Sequence, residues 1–254
     1  VPNPGMDLQS VIIEQRDERL DTETIELDLL LEAIRRKCGY DFRNYSRSSL
    51  RRRLATRMAA ANLTSLADVI SLVLHDESFL EEVLRCFSVT VTEMCRDPQF
   101  YLALRRDVIP ALRTRETVRI WHAGCATGEE VYSMAILLKE VGLYDKTRIY
   151  ATDFNDEALR QAREGIFPAE KMAEYERNYA EAGGQKKLTD YFHTRYDFVR
   201  IDNDLKENIH FSNHNLVKDG VFCESEVILC RNVMIYFDRV LQERVFNLFN
   251  ASLV

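Results

Sequence analysis

From Ile25 to Cys38, leucine and isoleucine recur at the three- and four-residue spacing of one helix face, and the run stops before Gly39. Leu50, Leu54 and Met58 form a second stripe between Ser48 and Ala61, with arginines around it and Asn62 suited to a C-terminal cap. Ser65-Leu-Ala-Asp68 and Ser78-Phe-Leu-Glu81 have the form of capping boxes, each predicting the start of a short helix. Asp97-Pro98 sets an N-cap residue ahead of a first-turn proline and predicts a helix to about Arg113.

The pattern then changes. Val118–Ala123, Arg148–Asp153 and Glu226–Cys230 read as strands; Glu129–Val141, Asp156–Glu164 and Arg239–Phe249 read as helices. Ile209-His-Phe-Ser-Asn213 reads as a further strand entering a loop. Strands alternating with helices predict an α/β fold with a parallel, doubly wound sheet. The polar stretch 165–208, with Gly183-Gly184 at its middle, breaks the alternation and reads as an insertion or lid. The expected organisation is a leader (1–24), partly disordered or foreign to the natural chain, then a helical domain (25–92), a linker helix (93–116) and an α/β domain (117–254).

Composition narrows the class. Hydrophobic residues make up 46% and charged residues 30% of the 254, which excludes disordered, collagen-like and coiled-coil chains. Nine glycines and five prolines favour long regular elements. No apolar run approaches the ~20 residues of a membrane helix, and Val-Pro-Asn-Pro-Gly has neither the basic region nor the apolar core of a signal peptide. The six cysteines form no CxxC pair, so buried free thiols and a cytoplasmic location are expected, with no zinc site. His210 and His214 are four apart, but on a strand and its following loop they share no helix face, so no metal is expected there.

Charge is unevenly placed. Between Arg35 and Arg57 nine basic residues face one acid, Asp41, so this window carries +8 and the rest of the chain −15 within the net −7. A basic island of this kind suits nucleic acid, anionic lipid or an acidic protein surface, or is simply a solvated helix face.

The loop Ala123-Gly-Cys-Ala-Thr-Gly-Glu-Glu130 joins the first predicted strand to its helix, where doubly wound folds bind their ligands. Asp153 ends the next strand, placed to accept hydrogen bonds from ribose hydroxyls. The glycine spacing is GxxxG, and two carboxylates open the helix where a dinucleotide site would hold a diphosphate. Glu129 and Glu130 would repel that group and attract a cation such as the ammonium of a methionine moiety, which favours S-adenosylmethionine over NAD. The plainer alternative is that both glutamates only complement the helix dipole.

Five segments together carry a resemblance: Thr90-Val-Thr-Glu-Met-Cys-Arg-Asp-Pro98, Ala123–Ser133, Ala151-Thr-Asp153, Asn215-Leu216 and Cys230-Arg-Asn-Val-Met-Ile-Tyr-Phe-Asp238. Over residues 25–254 the chain resembles the CheR-type chemoreceptor glutamate O-methyltransferases. The resemblance implies a Rossmann-like class I methyltransferase domain with an all-helical N-terminal domain and a small inserted β-subdomain at about 165–208. It implies methyl transfer from S-adenosylmethionine to glutamate carboxylates of chemoreceptor cytoplasmic helices, with S-adenosylhomocysteine as product. By position it assigns Thr90, Thr92, Arg96, Glu129, Asp153, Asn215, Leu216, Arg231 and Asn232 to the cofactor. Arg96 and Tyr236 would face the methyl group and the acceptor carboxylate.

The sequence departs from the family at Met94-Cys95, where two phenylalanines are usual, at Thr90, where asparagine is common, and at Val131, where proline is usual. The family continues beyond residue 254 with a sheet-completing β-hairpin that is absent here. The basic island gains a candidate partner in the glutamate-bearing receptor helices, with Arg53 and Arg57, four apart on one helix face, as the docking pair and Arg51 and Arg52 facing solvent. A monomer with no nucleic-acid partner and no membrane insertion is expected. Two rivals are a nucleic-acid methyltransferase of the same fold and a non-catalytic module that senses S-adenosylmethionine or its product.

Overall fold

A computed structural model describes residues 8–88 and 90–254, with side chains from Thr22 onward. The chain forms two compact units: residues up to Ser88 together with Tyr236–Leu241, and Val89–Ile235 together with Gln242–Val254.

The first unit is helical, with α1 (Leu8–Cys38), α2 (Arg47–Ala60), α3 (Leu66–His75) and α4 (Glu77–Phe87). Helix α1 reaches back to Leu8, so residues 8–24, expected as a leader, are helical; residues 1–7 lie outside the described residues. Leu27, Leu30, Leu31 and Ile34 bury one face of α1 in the core, which also holds Leu50 and Leu54 of α2, Val69 and Val73 of α3, and Val83 and Phe87 of α4. Asn62 takes the left-handed conformation (φ 54°) just past the end of α2. Ser65 caps α3 by accepting from the Asp68 amide at 3.2 Å. The cap of α4 is Asp76 and not Ser78: Asp76 accepts from the Phe79 amide at 3.1 Å and from the Ser78 hydroxyl at 2.8 Å. A carboxylate two residues upstream outcompetes the serine as acceptor.

Tyr236–Leu241 joins this unit through its backbone. The Ser46 amide donates to the Tyr236 carbonyl at 2.7 Å, and the Asp238 amide to the Asn44 carbonyl at 2.8 Å.

The second unit opens with α5 (Pro98–Ala103), a π-helical turn (Leu104–Val108) and α6 (Ile109–Arg113), where one helix was expected. Pro110 supplies the cause: it has no N–H for the preceding turn and its ring would strike a carbonyl, so the helix widens ahead of it. Then follow β1 (Val118–Ala123), α7 (Glu129–Glu140), β2 (Thr147–Asp153), α8 (Asp156–Glu164), β3 (Ile166–Pro168), α9 (Met172–Glu181), β4 (Phe192–Arg195), β5 (Phe198–Ile201), β6 (Ile209–Asn213), β7 (Val227–Leu229) and α10 (Arg239–Ser252). Strands β6, β2, β1 and β7 form a parallel sheet in that order. Strand β1, paired on both sides, is buried at every position but Arg119, as an interior parallel strand requires.

Residues 165–208 form the insertion: a separate antiparallel sheet in the order β3-β5-β4, plus α9. It is fastened to α7 through Glu140, whose side chain is 1% exposed. Arg105 pairs with that carboxylate, the Tyr179 hydroxyl donates to it, and the Gln185 amide donates at 3.0 Å. Burial opposes ionisation of Glu140, but these donors and the Arg105 charge outweigh it and lower its pKa.

The cysteines are all free. Cys95 and Cys125 are buried as expected, whereas Cys38, the last residue of α1, is exposed. Among the described residues no His, Cys, Asp and Glu cluster could hold a metal, and no helix is long and apolar enough to cross a membrane.

Candidate active site

The parallel register brings four strand ends to one rim. Ala123 pairs with Thr152, Asp153 with Asn213, and His122 with Leu229, so the segments after β1, β2, β6 and β7 emerge side by side. These segments hold Gly124–Gly128, Asp153, Asn215-Leu216 and Arg231-Asn232. A ligand bound by this sheet belongs beyond these C-terminal ends.

The glycine loop is built by its backbone. Gly124 (φ 82°) and Gly128 (φ 93°) both occupy the left-handed region, and a Cβ on Gly124 would overlap Val233. The amides of Gly124 and Cys125 donate to the Thr152 carbonyl at 2.7 and 2.9 Å. Asp153 accepts from the Ala126 amide at 3.0 Å and from the Asn155 amide at 2.9 Å. With up to four acceptor sites on its two oxygens and backbone amides as its only donors here, the carboxylate keeps acceptor capacity for a ribose hydroxyl. Burial pushes the Asp153 carboxyl above its ordinary range although the amides pull it down. Asn215 lies in the turn after β6, where its side-chain oxygen accepts from the Val217 amide at 2.9 Å, and Leu216 beside it is buried.

The two glutamates that open α7 part company. Glu129 is 4% exposed and receives hydrogen bonds from the Thr127 hydroxyl at 2.6 Å and the Tyr175 hydroxyl at 3.4 Å. Burial raises its pKa, and no cation among the described residues is in ion-pair contact with it. A buried carboxylate held only by neutral donors is a ready partner for a buried cation. Glu130 already has its cation: it accepts from Arg231 Nη1 at 3.0 Å and lies 3.0 Å from His122 Nδ1. Burial opposes its ionisation, but His122 and Arg231 prevail and lower its pKa. The residues at this rim thus fit an adenosyl amino acid, with Asp153 for ribose hydroxyls and Glu129 for an ammonium.

Arg96 stands on a strained turn. Cys95 (φ 50°) and Asp97 (φ 57°) flank it, both left-handed without being glycine, at a cost of about 1–2 kcal/mol each. Asp97 therefore does not cap α5 as expected. Its carboxylate pairs with Arg231 Nη2 at 2.5 Å, and the same nitrogen donates to the Arg96 carbonyl at 2.9 Å. The Cys95 amide donates to the Ser133 hydroxyl at 2.9 Å. The departures Met94 and Cys95 are both buried in the core, as is Val131. Thr90 and Thr92 are half-buried on the approach to this turn, and Asn232 is exposed with φ 57°.

Two family models cover nearly all of the described chain: the CheR methyltransferase SAM-binding domain over residues 90–254, and the CheR methyltransferase all-alpha domain over residues 25–88. The chain belongs to the CheR methyltransferase family. It is 44% identical over 229 residues to a Pseudomonas putida protein named as a proposed methyltransferase, Cher3, covering 90% of this chain and 84% of that one. It is 30% identical over 226 residues to a 104.1 kDa protein of Rhodobacter capsulatus, covering 86% of this chain but 23% of that longer protein. It is 26% identical over 242 residues to the chemotaxis protein methyltransferase of Borreliella burgdorferi, covering 90% and 83% respectively. The fold is that of a Rossmann-like methyltransferase with a helical N-terminal domain, and the cofactor is S-adenosylmethionine.

Of the residues expected to meet substrate, Arg53, Arg57 and Tyr236 belong to the helical unit and Arg96 to the second. Arg53 donates to the Phe87 carbonyl at 2.7 Å and lies over the Tyr236 ring, 4.5 Å from its centroid. Burial lowers the Arg53 pKa. Arg57 pairs with Glu82 and lies 5.1 Å from the centroid of the Phe79 ring. Arg52 is exposed as expected, but Arg51 is half-buried and donates to the Thr24 hydroxyl at 2.5 Å.

Three side chains at the rim escaped the sequence reading. Tyr175 and Asn178 come from α9, inside the polar stretch; Asn178 donates to the Met94 carbonyl at 3.3 Å. Their i, i+3 spacing puts both on one helix face, a signal available in the sequence. His122 left no signal beyond its place on a buried strand.

Proposed function

We propose that this CheR methyltransferase transfers the methyl group of S-adenosylmethionine to glutamate side-chain carboxylates of chemoreceptor cytoplasmic helices, forming γ-methyl esters. The observation that carries the reading is Glu129, a buried carboxylate at the ligand-binding end of the sheet with neutral donors and no paired cation among the described residues. The Cys230–Asp238 segment, of the kind found in glutamate methyltransferases, and the chemotaxis relatives support the acceptor class.

Bound S-adenosylmethionine supplies a methyl group made electrophilic by its sulfonium. The chain's residues bind and align. Glu129 takes the ammonium and Asp153 the ribose hydroxyls. Thr90, Thr92, Asn215, Leu216, Arg231 and Asn232 complete the cofactor contacts. A glutamate carboxylate, with an ordinary pKa near ~4.3, is ionised at neutral pH and needs no general base. One carboxylate oxygen would form the new O–C bond as the S–C bond broke, so that the sulfonium and carboxylate charges would be lost together. Alignment of the three atoms is the main task. Arg96 grips the carboxylate by charge-assisted hydrogen bonds and Tyr236 fixes its angle. Arg53 and Arg57 assist docking of the acidic helix. Arg57 already faces Glu82, so Arg53 carries the larger share.

The test is transfer of labelled methyl from S-adenosylmethionine to purified receptor cytoplasmic fragments, at micromolar enzyme. Base-labile label on the fragment supports the glutamate ester. Label on nucleic acid, or cofactor binding with no transfer, contradicts it.

A further inference from the structure

The strained turn that displays Arg96 is held from beneath. Arg231 reaches it from the end of β7, with Nη2 on both the Arg96 carbonyl and the Asp97 carboxylate. The guanidinium lies 4.3 Å from the Phe100 ring centroid, which fixes its plane. Its other nitrogen, Nη1, is held by Glu130 of α7 at 3.0 Å. Glu130 in turn is oriented by His122 of β1, at 3.0 Å from Nδ1. His122 is fully buried, and its Nε2 is buried with no hydrogen-bond partner. The imidazole's one polar contact among the described residues is therefore the one Nδ1 makes with Glu130. Nδ1 faces an acceptor-only carboxylate, so Nδ1 carries the hydrogen and donates it.

We infer that His122 is a positioning residue: through Glu130 and Arg231 it holds Arg96 in the left-handed turn from which Arg96 acts. The relay runs from the rigid interior of the sheet to the most strained backbone of the site. Without His122, Glu130 is free to swing on its side chain, Arg231 loses a fixed anchor, and the Cys95–Asp97 turn relaxes toward ordinary φ values. The inference rests on the reading of Arg96 as a cofactor- and carboxylate-facing residue.

The two nitrogens of His122 can be tested separately. In His122→Asn the side-chain amide nitrogen falls close to the position of Nδ1; in His122→Gln it falls close to that of Nε2. Affinity for S-adenosylhomocysteine is measured by calorimetry on folded full-length protein, alongside thermal melting. Arg96→Ala, His122→Leu and His122→Gln are expected to weaken binding roughly tenfold each, and His122→Asn to restore it to within about twofold of wild type. His122→Leu added to Arg96→Ala should cost clearly less than its tenfold effect alone, the remainder being Arg231's own contact with the cofactor. If His122→Leu does not fold, the Asn and Gln pair carries the test. Equal affinity of these two variants, or additive loss in the double variant, overturns the inference while leaving Arg96 in place. An unchanged affinity in Arg96→Ala overturns the site reading, and the inference with it.

Discussion

Two clusters of like charge stand out in this chain, the arginines of α2 and its flanks and the glutamates that open α7, and the fold treats them in opposite ways. The arginines are mostly neutralised within their own unit. Arg35 and Arg36 share Glu32, Arg43 pairs with Asp41, Arg47 lies 2.8 Å from Asp28, and Arg57 meets Glu82. Three of those acids, Asp28, Glu32 and Glu82, fall outside the +8 window, so the run looks more basic than the surface is. At α7 the reverse holds. Glu130 is answered by Arg231 and His122, while Glu129, one residue away, is buried with no cation among the described residues in ion-pair contact. A run of charge says little about function; a single buried charge left unpaired says a good deal.

The comparison breaks first at Arg105, the half-buried cation that pairs with the buried Glu140 carboxylate. Arg105→Met strands a carboxylate that is 1% exposed and should cost about 3–5 kcal/mol, a fall of roughly 6–20 °C in Tm by calorimetry. A fall of under about 2 °C would show that Tyr179, Tyr191 and the Gln185 amide suffice without Arg105.

Glu129 is the next point of attack. Its ionised form is disfavoured in the fold, so a neutral replacement relieves strain at neutral pH. Glu129→Gln should raise Tm slightly at pH 7 yet weaken S-adenosylhomocysteine binding about 30-fold, the loss of one charge-assisted contact of ~2 kcal/mol. The pH sign follows from the raised pKa: in wild type, affinity is full above that pKa and falls as pH drops through it, beginning above the ordinary carboxylate range. Glu129→Gln should bind with no such acid limb; an unchanged limb would assign it to another group.

Tyr175 sharpens the point at smaller scale. Tyr175→Phe removes one neutral donor from Glu129 and should weaken product binding about threefold to tenfold, at ~1 kcal/mol. No loss would leave Thr127 as the only donor that matters.

The smallest effect belongs to the helical unit. Arg52→Ala, at an exposed position, and Arg57→Ala, at a partly exposed pair, should each change stability by under about 1 kcal/mol in denaturant titration. A larger loss at Arg57 would mean that its packing on Phe79, and not the ion pair, holds α2 to α4.

The alternation of strands and helices was readable because β1, β2 and β6 carry apolar residues at alternate positions and are followed by capped or glycine-led helices and turns. Their register then brings Glu129, Asp153, Asn215 and Arg231 to one rim, so residues picked by position share a sheet end. What could not be read was set by partners far away in sequence. Asp97 has the residue type of a cap, but Arg231, 134 residues on, takes its carboxylate. Ser78 loses its capping role to an aspartate two residues upstream. The helix expected through Arg113 widens at a proline whose local effect the pattern of apolar residues does not show. The α9 face that reaches Glu129 lay inside a stretch whose polarity suggested only an insertion or lid. Arg53 and Arg57 were legible as neighbours on a helix, but their commitments to Phe87, Tyr236 and Glu82 were not.

The most direct test of the Glu129 cation subsite compares two ligands on two proteins. S-adenosylhomocysteine carries the ammonium; 5′-methylthioadenosine has the nucleoside and thioether without it. Titration calorimetry at pH 7.5 should show wild type preferring the first by at least about 30-fold and Glu129→Gln binding the two within a few-fold of each other. Full preference retained in Glu129→Gln would contradict the claim that this buried carboxylate is reserved for the cofactor's cation.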